Sequence, residues 1–176
     1  LTTIIPVPSG LSRRAIWLAV CTGLMTAGIL LATSPWTPMV WDEGDAILRA
    51  ERIRDWFGKL FSSEAKGPPP LSREGLSRGW PFTTQREGHP ALYGTIITLG
   101  RALTPSFFDP LTQYRFGPIL LFSAAVGAVV YRVARLAGPV TGAAAFFCII
   151  LQPRVFAHAH FASFDGPVAA WWMLAW

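Results

Sequence analysis

Four groups of polar residues border the apolar stretches of this 176-residue chain and could carry out chemistry. They are the acidic cluster Asp42-Glu43-Gly44-Asp45, the dipeptide His89-Pro90, the pair His158 and His160, and Asp165. Carboxylates beside an apolar environment are costly to desolvate, so their presence there indicates proton removal or cation binding. Histidine can act as an acid, a base or a metal ligand. These residues are therefore the candidates for a functional site.

Each group also has a simpler structural interpretation. Asp42 could be the N-cap of a helix, with Asp45 near the positive end of the helix dipole. Asp165 could cap the helix that follows it in the same way, and His89 could simply precede a helix that starts with proline. The residue types alone leave the catalytic and the structural roles open.

A metal site is the weakest of these hypotheses. His158, His160 and Asp165 are its candidate ligands, but a His-x-His pair with one carboxylate is a loose pattern. The sequence predicts no cofactor firmly, and it leaves open a divalent metal ion.

The composition predicts an integral membrane protein. Hydrophobic residues make up 52% of the chain, charged residues only 14%, and the mean hydropathy is +0.39. A soluble domain of this length is not expected with such values. The net charge of +5 could suggest nucleic-acid binding, but the basic residues flank apolar tracts and do not form one stripe, so no nucleic-acid partner is expected.

The apolar tracts predict an all-α fold of several membrane-spanning helices. The spans are expected at residues 15–33, 116–135, 140–152 and 166–176, and the outer loops at residues 34–114 and 153–165. Since the chain lacks an initial methionine and stops within an apolar run, residues 1–176 are expected to be the amino-terminal part of one larger transmembrane domain.

Charge bias predicts the orientation. Arg13 and Arg14 precede the first span, so the amino terminus is expected inside. If residues 90–103 crossed the membrane, Arg132 and Arg135 would lie outside, so this segment is expected to lie flat on the outer surface. Residues 53–61 have the apolar spacing of an amphipathic helix at the interface. All four candidate groups then face the outer side.

The order of these motifs resembles the GT-C class of membrane glycosyltransferases, particularly the protein O-mannosyltransferase-like families that use dolichyl-phosphate-mannose. In these families an Asp-Glu pair follows the first span, and juxtamembrane helices, a His-Pro-Pro-Leu-like motif, two spans and a further acidic loop residue come after it. The matching positions here are Asp42-Glu43, residues 53–61, His89-Pro90-Ala91-Leu92 and Asp165. Ala91 departs from the second proline of the motif, which leaves the acceptor class open.

The resemblance implies transfer of a sugar, as in hexosyltransferases, from a polyprenyl-phosphate lipid to a hydroxyl acceptor. The acceptor would be a protein, a lipid or a glycan, and the reaction would take place at the outer face of the cell inner membrane. It implies a single displacement at the anomeric carbon, with Asp42 as the base. Glu43 and Asp165 would belong to the same catalytic site, and Asp165 would hold a divalent ion or orient the acceptor.

The departing phosphate needs cationic stabilisation, for which His89, Arg49 and Arg52 are the candidates. Two other functions stay open. An ion-coupled transporter would carry charged residues within its spans near the midplane, where this sequence has none. In a non-catalytic membrane scaffold the carboxylates would only cap helices.

Overall fold

The computed structural model describes residues 9–62, 67–83 and 90–176, with side chains from residue 13 onward, and it is predominantly helical. The described parts contain no β-strand, which confirms the predicted all-α class. The helices are α1 (Ser9–Thr33), α2 (Trp41–Leu60), α3 (Arg73–Gly79), α4 (Ala91–Leu103), α5 (Pro110–Ala137), α6 (Pro139–Ile150), α7 (Pro153–His160) and α8 (Asp165–Ala175), with a short 3₁₀ helix at Ser34–Trp36.

Two helices are long and apolar enough to cross a membrane: Arg13–Trp36, which includes most of α1, and Pro110–Ala137, which is α5. At 1.5 Å per residue, a 24-residue helix is about 36 Å long, more than the roughly 30 Å of a hydrocarbon core. They contain the spans that the sequence predicts at residues 15–33 and 116–135.

The third predicted span has a different shape. Helix α6 ends at Ile150, and α7 begins at Pro153 with a bend of 72° between them, so this pair is either one broken span or a re-entrant segment. Proline favours the first turn of a helix and disfavours the helical conformation of the preceding residue, which explains the break before Pro153. Residues 153–160, predicted as part of a loop, are therefore helical.

The chain forms two compact units. The described part of the first unit comprises α1, α5 from Ile119 onward, α6, α7 and α8, and its core is apolar. The largest buried side chains of this core are Leu30, Ile119, Phe122, Val126, Val130 and Phe146. The second unit comprises residues 35–118 and 161–164, with a smaller core of Ala46, Ala50, Tyr93, Ile97 and Ala162.

In the first unit, α1 and α5 pack closely through glycines. A Cβ atom at Gly127 would lie 2.9 Å from the carbonyl oxygen of Ala19, and one at Gly23 would lie 3.2 Å from that of Ser123. Small residues let two apolar helices approach this closely in a membrane. The residue numbers of these contacts rise along α1 as they fall along α5. The two helices are therefore antiparallel, as two consecutive spans would be.

In the second unit, α2 packs against α4. The hydroxyl of Thr98 donates a hydrogen bond to the carbonyl oxygen of Ala50 at 3.0 Å. A Cβ atom at Gly100 would lie 2.3 Å from the backbone nitrogen of Gly117, so α4 also touches the first turns of α5. These contacts hold α2, α4 and the start of α5 together, and they position the acidic cluster.

Candidate functional site

The acidic cluster forms the first turns of α2. The helix begins at Trp41, and its N-cap, Val40, makes no side-chain capping bond. Asp42 and Glu43 lie within the first helical turn, so Asp42 is not the N-cap that the structural interpretation of the sequence requires. The helix also begins 12 residues before Ile53, the first residue of the predicted amphipathic helix. A carboxylate in the first turn still interacts favourably with the positive end of the helix dipole.

Glu43 forms a buried ion pair with Arg115 of α5. Nε of Arg115 donates to Oε1 of Glu43 and Nη2 donates to Oε2, both at 2.7 Å, and neither side chain is exposed. Arg115 also donates to the carbonyl oxygens of Thr37 at 2.9 Å and Pro38 at 3.3 Å. The backbone N–H of Ala162 donates to Oε1 of Glu43 at 2.8 Å. Both charges are therefore paired and well hydrogen-bonded, as burial of an ion pair demands.

This network joins three parts of the second unit to the first turn of α2: the segment before α2, the start of α5 and residues 161–164. Because the carboxylate of Glu43 is fully enclosed by these contacts, its evident task is to fix the first turn of α2. The catalytic role that the resemblance implies for Glu43 stays a prediction.

Asp42, next to Glu43, is in the opposite situation. Its side chain is exposed and makes no hydrogen bond or ion pair with the described residues. At 100° per residue, Asp42, Asp45, Arg49 and Arg52 lie within an arc of about 80° on one face of α2. The sequence thus places two carboxylates followed by two guanidinium groups on one side of this helix, next to its buried side.

The two arginines have different surroundings. Nη1 of Arg49 donates to the hydroxyl of Tyr93, and its guanidinium carbon lies 4.4 Å from the ring centroid of Phe82. Arg52 is exposed, and its guanidinium carbon lies 5.8 Å from the same centroid. Cation–π contacts of this kind hold the Arg49 side chain in place, whereas Arg52 has more freedom to reach a ligand.

Each arginine lines a cleft of the second unit. Arg49 borders a small cleft whose walls include Trp80, Phe82 and Tyr93. Arg52 borders a second cleft, of about 500 Å³. His89 lies outside the described residues, so the predicted contact of its side chain with the donor phosphate stays a prediction. Pro90, which follows it, is the N-cap of α4.

The histidines and Asp165 belong to the first unit. Nδ1 of His158 lies 3.1 Å from Oδ2 of Asp165, and both side chains are about half exposed. They border an open cleft of about 550 Å³ with Arg154. His160 is buried, with Nε2 2.6 Å from the hydroxyl of Thr33 and Nδ1 2.7 Å from the carbonyl oxygen of Phe156. His158 and Asp165 thus come together, while His160 takes part in a separate network.

A metal site would need a larger group of donors than this pair. Within residues 9–62, 67–83 and 90–176, no three side chains of His, Cys, Asp or Glu are grouped so that they could hold a metal ion. The divalent metal ion that the sequence leaves open stays a prediction.

The sequence reasoning missed Arg115, which is the most buried charged residue of the site together with Glu43. The signal was present: a lone arginine near the start of a predicted span needs a partner in an apolar environment. It also missed Glu51, which pairs with Arg101 of α4 and accepts a hydrogen bond from the hydroxyl of Tyr114. These contacts link α2 to α4 and α5 about two helical turns beyond the acidic cluster.

Asp109 caps α5 beside this network. Its Oδ1 accepts hydrogen bonds from the backbone N–H groups of Leu111 at 3.0 Å and Thr112 at 3.1 Å. Burial raises the pKa of this carboxyl, but the hydrogen bonds from the side chain and backbone of Thr112 and from the backbone of Leu111 outweigh it, so the pKa lies below its ordinary value.

No protein-family model, curated protein sequence or solved structure matches the chain.

Proposed function

We propose that the chain belongs to a multi-pass glycosyltransferase of the plasma (inner) membrane, which moves a sugar from a polyprenyl-phosphate donor to a hydroxyl acceptor at the outer face. The observation that carries this proposal is the contrast between two adjacent carboxylates. Glu43 is buried and fixed by Arg115, whereas Asp42, one residue earlier, is exposed. A buried anchor beside an accessible carboxylate is what a positioned general base requires.

The reaction is a displacement at the anomeric carbon. Asp42 removes the proton from the acceptor hydroxyl while the oxygen of that hydroxyl bonds to the anomeric carbon. The bond from that carbon to the phosphate oxygen breaks, and the polyprenyl phosphate leaves with the electron pair. General-base catalysis of this kind typically contributes about 10²–10⁴-fold in rate.

The arginines of α2 suit the leaving group. Arg49 and Arg52 follow Asp42 along the same face of α2. A phosphate bound by them would be stabilised as its negative charge develops. We assign Arg52 the greater share of this contact because it is exposed and Arg49 is held by Tyr93 and Phe82.

The surroundings of Asp42 suit a membrane interface. Trp36 and Trp41, on either side of the segment that leads into α2, are 83% and 89% exposed. Tryptophan is enriched at the level of the lipid headgroups, which is where a polyprenyl phosphate carries its sugar. In this proposal α2 and α4 are juxtamembrane helices, and Asp42 lies at the depth of the donor phosphate.

The test compares Asp42→Asn with the matched control Asp45→Asn in the full-length protein. Both carboxylates are exposed on the same face of α2, one helical turn apart. Asp42→Asn is expected to lower kcat for sugar transfer about 10²–10⁴-fold, while Asp45→Asn leaves it within about threefold. Arg52→Gln is expected to raise KM for the donor more than it raises KM for the acceptor.

Unchanged transfer in Asp42→Asn would remove the catalytic role of Asp42 and favour a scaffold in which the carboxylates only stabilise helices. Equal losses in Asp42→Asn and Asp45→Asn would also contradict the proposal, because they would indicate a general effect of negative charge on this face.

A further inference from the structure

The cleft that Arg52 borders lies between the second half of α2, the proline-rich segment before α3, and α3 itself, and its volume is about 500 Å³. The charged side chains of its described lining are Arg52, Asp55, Lys59 and Arg78. Three of these four side chains are cations, so the lining carries an excess of positive charge. The other described lining residues are Trp56, two prolines and two glycines. The whole lining belongs to the second unit.

Direct contacts between α2 and α3 hold the walls of this cleft in place. Nε1 of Trp56 donates a hydrogen bond to the carbonyl oxygen of Pro70 at 2.9 Å. A Cβ atom at Gly79 would overlap the ring of Trp56, so α3 lies directly against this side chain. The backbone N–H of Gly75 donates to Oγ of Ser72 at 3.0 Å, which caps the start of α3. The cleft is therefore a feature of the packed helices and not a gap beside a loose segment.

Helix α2 contributes two of the cations from a single face. Arg52, Trp56 and Lys59 are spaced at i, i+4 and i+7, which places them within an arc of about 60°. Both cationic side chains are exposed, and neither forms an ion pair with a residue in the described part of the chain. Their charges are thus available to a ligand that enters the cleft.

The third cation and the carboxylate of the lining have partners outside the cleft. Nη2 of Arg78 lies 2.5 Å from Oε1 of Glu74, and this contact uses one of the five N–H donors of the guanidinium group. Oδ1 of Asp55 accepts a hydrogen bond from Nη2 of Arg54 at 3.3 Å, so an arginine outside the lining partly compensates this carboxylate. The excess of positive charge in the cleft therefore persists when these pairs are counted.

We propose that this cleft binds a phosphate group, carried by a phospholipid headgroup or by a soluble phosphate ester. Phosphate has several anionic oxygens, so it can accept hydrogen bonds from guanidinium and ammonium groups on both walls. Cations that share a cleft repel one another, and a bound anion removes this repulsion. Trp56 and the prolines offer apolar contact to the group that carries the phosphate. The inference does not depend on sugar transfer, in which Lys59 and Arg78 have no proposed part.

The test uses the full-length protein in a neutral detergent at about 0.15 M salt, where charges beyond about 8 Å are screened. Binding of short-chain phosphatidylglycerol and of glycerol 3-phosphate is titrated by native mass spectrometry. Diacylglycerol of the same chains and glycerol serve as the ligands without phosphate. Lys59→Gln is expected to weaken binding of the phosphate ligand about fivefold. The tighter of the two phosphate ligands identifies the source of the phosphate as a lipid or a soluble ester.

The matched control is Arg73→Gln. Arg73 is exposed on α3, forms no ion pair with a described residue and does not line the cleft. Its loss is expected to change the affinity less than about twofold at that salt concentration. Equal losses in Lys59→Gln and Arg73→Gln would overturn the cleft in favour of a general basic surface. Failure of both phosphate ligands to bind, or equally tight binding of the ligands without phosphate, would overturn phosphate as the group that is bound.

A further variant is expected to change the affinity in the opposite direction. Asp55→Asn removes the carboxylate from the lining, while Arg54 keeps its ion pair with Glu51 at 2.6 Å. Binding of the phosphate ligand is expected to become about threefold tighter, a gain that a folding defect does not produce. If Asp55→Asn weakens binding as much as Lys59→Gln does, the carboxylate accepts a hydrogen bond from the ligand. A hydroxyl-bearing ligand would then replace phosphate, and the proposal would be wrong.

Discussion

Replacement of Glu43 by glutamine tests the buried ion pair on which the geometry of α2 depends. Glutamine has nearly the shape of glutamate, and its amide oxygen could still accept the N–H of Ala162. Its NH₂ group, however, would face an N–H donor of Arg115, where the carboxylate oxygen now accepts at 2.7 Å. The substitution therefore leaves an uncompensated cation in a site with no exposed side-chain surface.

The expected loss is about 3–5 kcal/mol in the free energy of unfolding, as for other buried pairs broken on one side. The matched control is Glu74→Gln. Glu74 accepts a hydrogen bond from Arg78 at 2.5 Å, but the two side chains are 61% and 67% exposed. Such an exposed pair contributes at most about 1 kcal/mol. The two substitutions remove the same charge from the same kind of pair, and they differ in burial.

The measurement is the free energy of unfolding of the full-length protein in mixed micelles, obtained by titration with a denaturing detergent. A double variant, Glu43→Gln with Arg115→Met, is expected to recover much of the loss, because it removes the unpaired charge. If Glu43→Gln costs no more than Glu74→Gln, or if the double variant loses the sum of the single losses, the ion pair does not anchor α2.

Three further predictions concern other parts of the chain. The pKa of Asp109 is lowered in the folded state, so its stabilising contribution is present above the unfolded pKa and is lost as pH falls through the folded pKa. Asp109→Asn should therefore lower the unfolding free energy at pH 7, and the difference from the wild type should shrink as the pH falls through the folded pKa. Gly127→Ala places a Cβ atom 2.9 Å from the carbonyl oxygen of Ala19 and should destabilise the first unit by about 1–3 kcal/mol, whereas Gly28→Ala, with nothing within 4 Å, should not, as measured by the same detergent titration. Asp165→Asn should lower the rate of sugar transfer without changing the unfolding free energy, and an unchanged rate would remove Asp165 from the site that the resemblance implies.

The positions of α1 and α5 could be predicted from the sequence because a long apolar run is a local property. The turn at Gly138 was predictable for the same reason, since Gly138-Pro139 marks it in sequence and Gly138 adopts φ +92°, a conformation that favours glycine. The bend between α6 and α7 was less evident: Gln152-Pro153 indicates a break, but not that a further helix follows at 72°.

The start of α2 and the role of Glu43 could not be predicted locally. Asp42 has the sequence context of an N-cap, but the helix already begins at Trp41 because Glu43 is drawn into a buried pair with Arg115, 72 residues later in the chain. Long-range partners of this kind do not follow from periodicity. The residue type nevertheless gave a hint, because an arginine among apolar residues of a helix must be compensated.

The central claim, that Asp42 acts as the base in sugar transfer from a lipid phosphate, is tested most directly with the full-length protein in liposomes. These contain a radiolabelled polyprenyl-phosphate sugar, and a mixture of hydroxyl acceptors is added outside. If Asp42 is the base, each labelled sugar that is transferred releases one polyprenyl phosphate. Asp42→Asn then abolishes both products in parallel, while Asp45→Asn retains them. A donor that stays intact with the wild-type protein, or that is consumed equally by Asp42→Asn, would contradict the account.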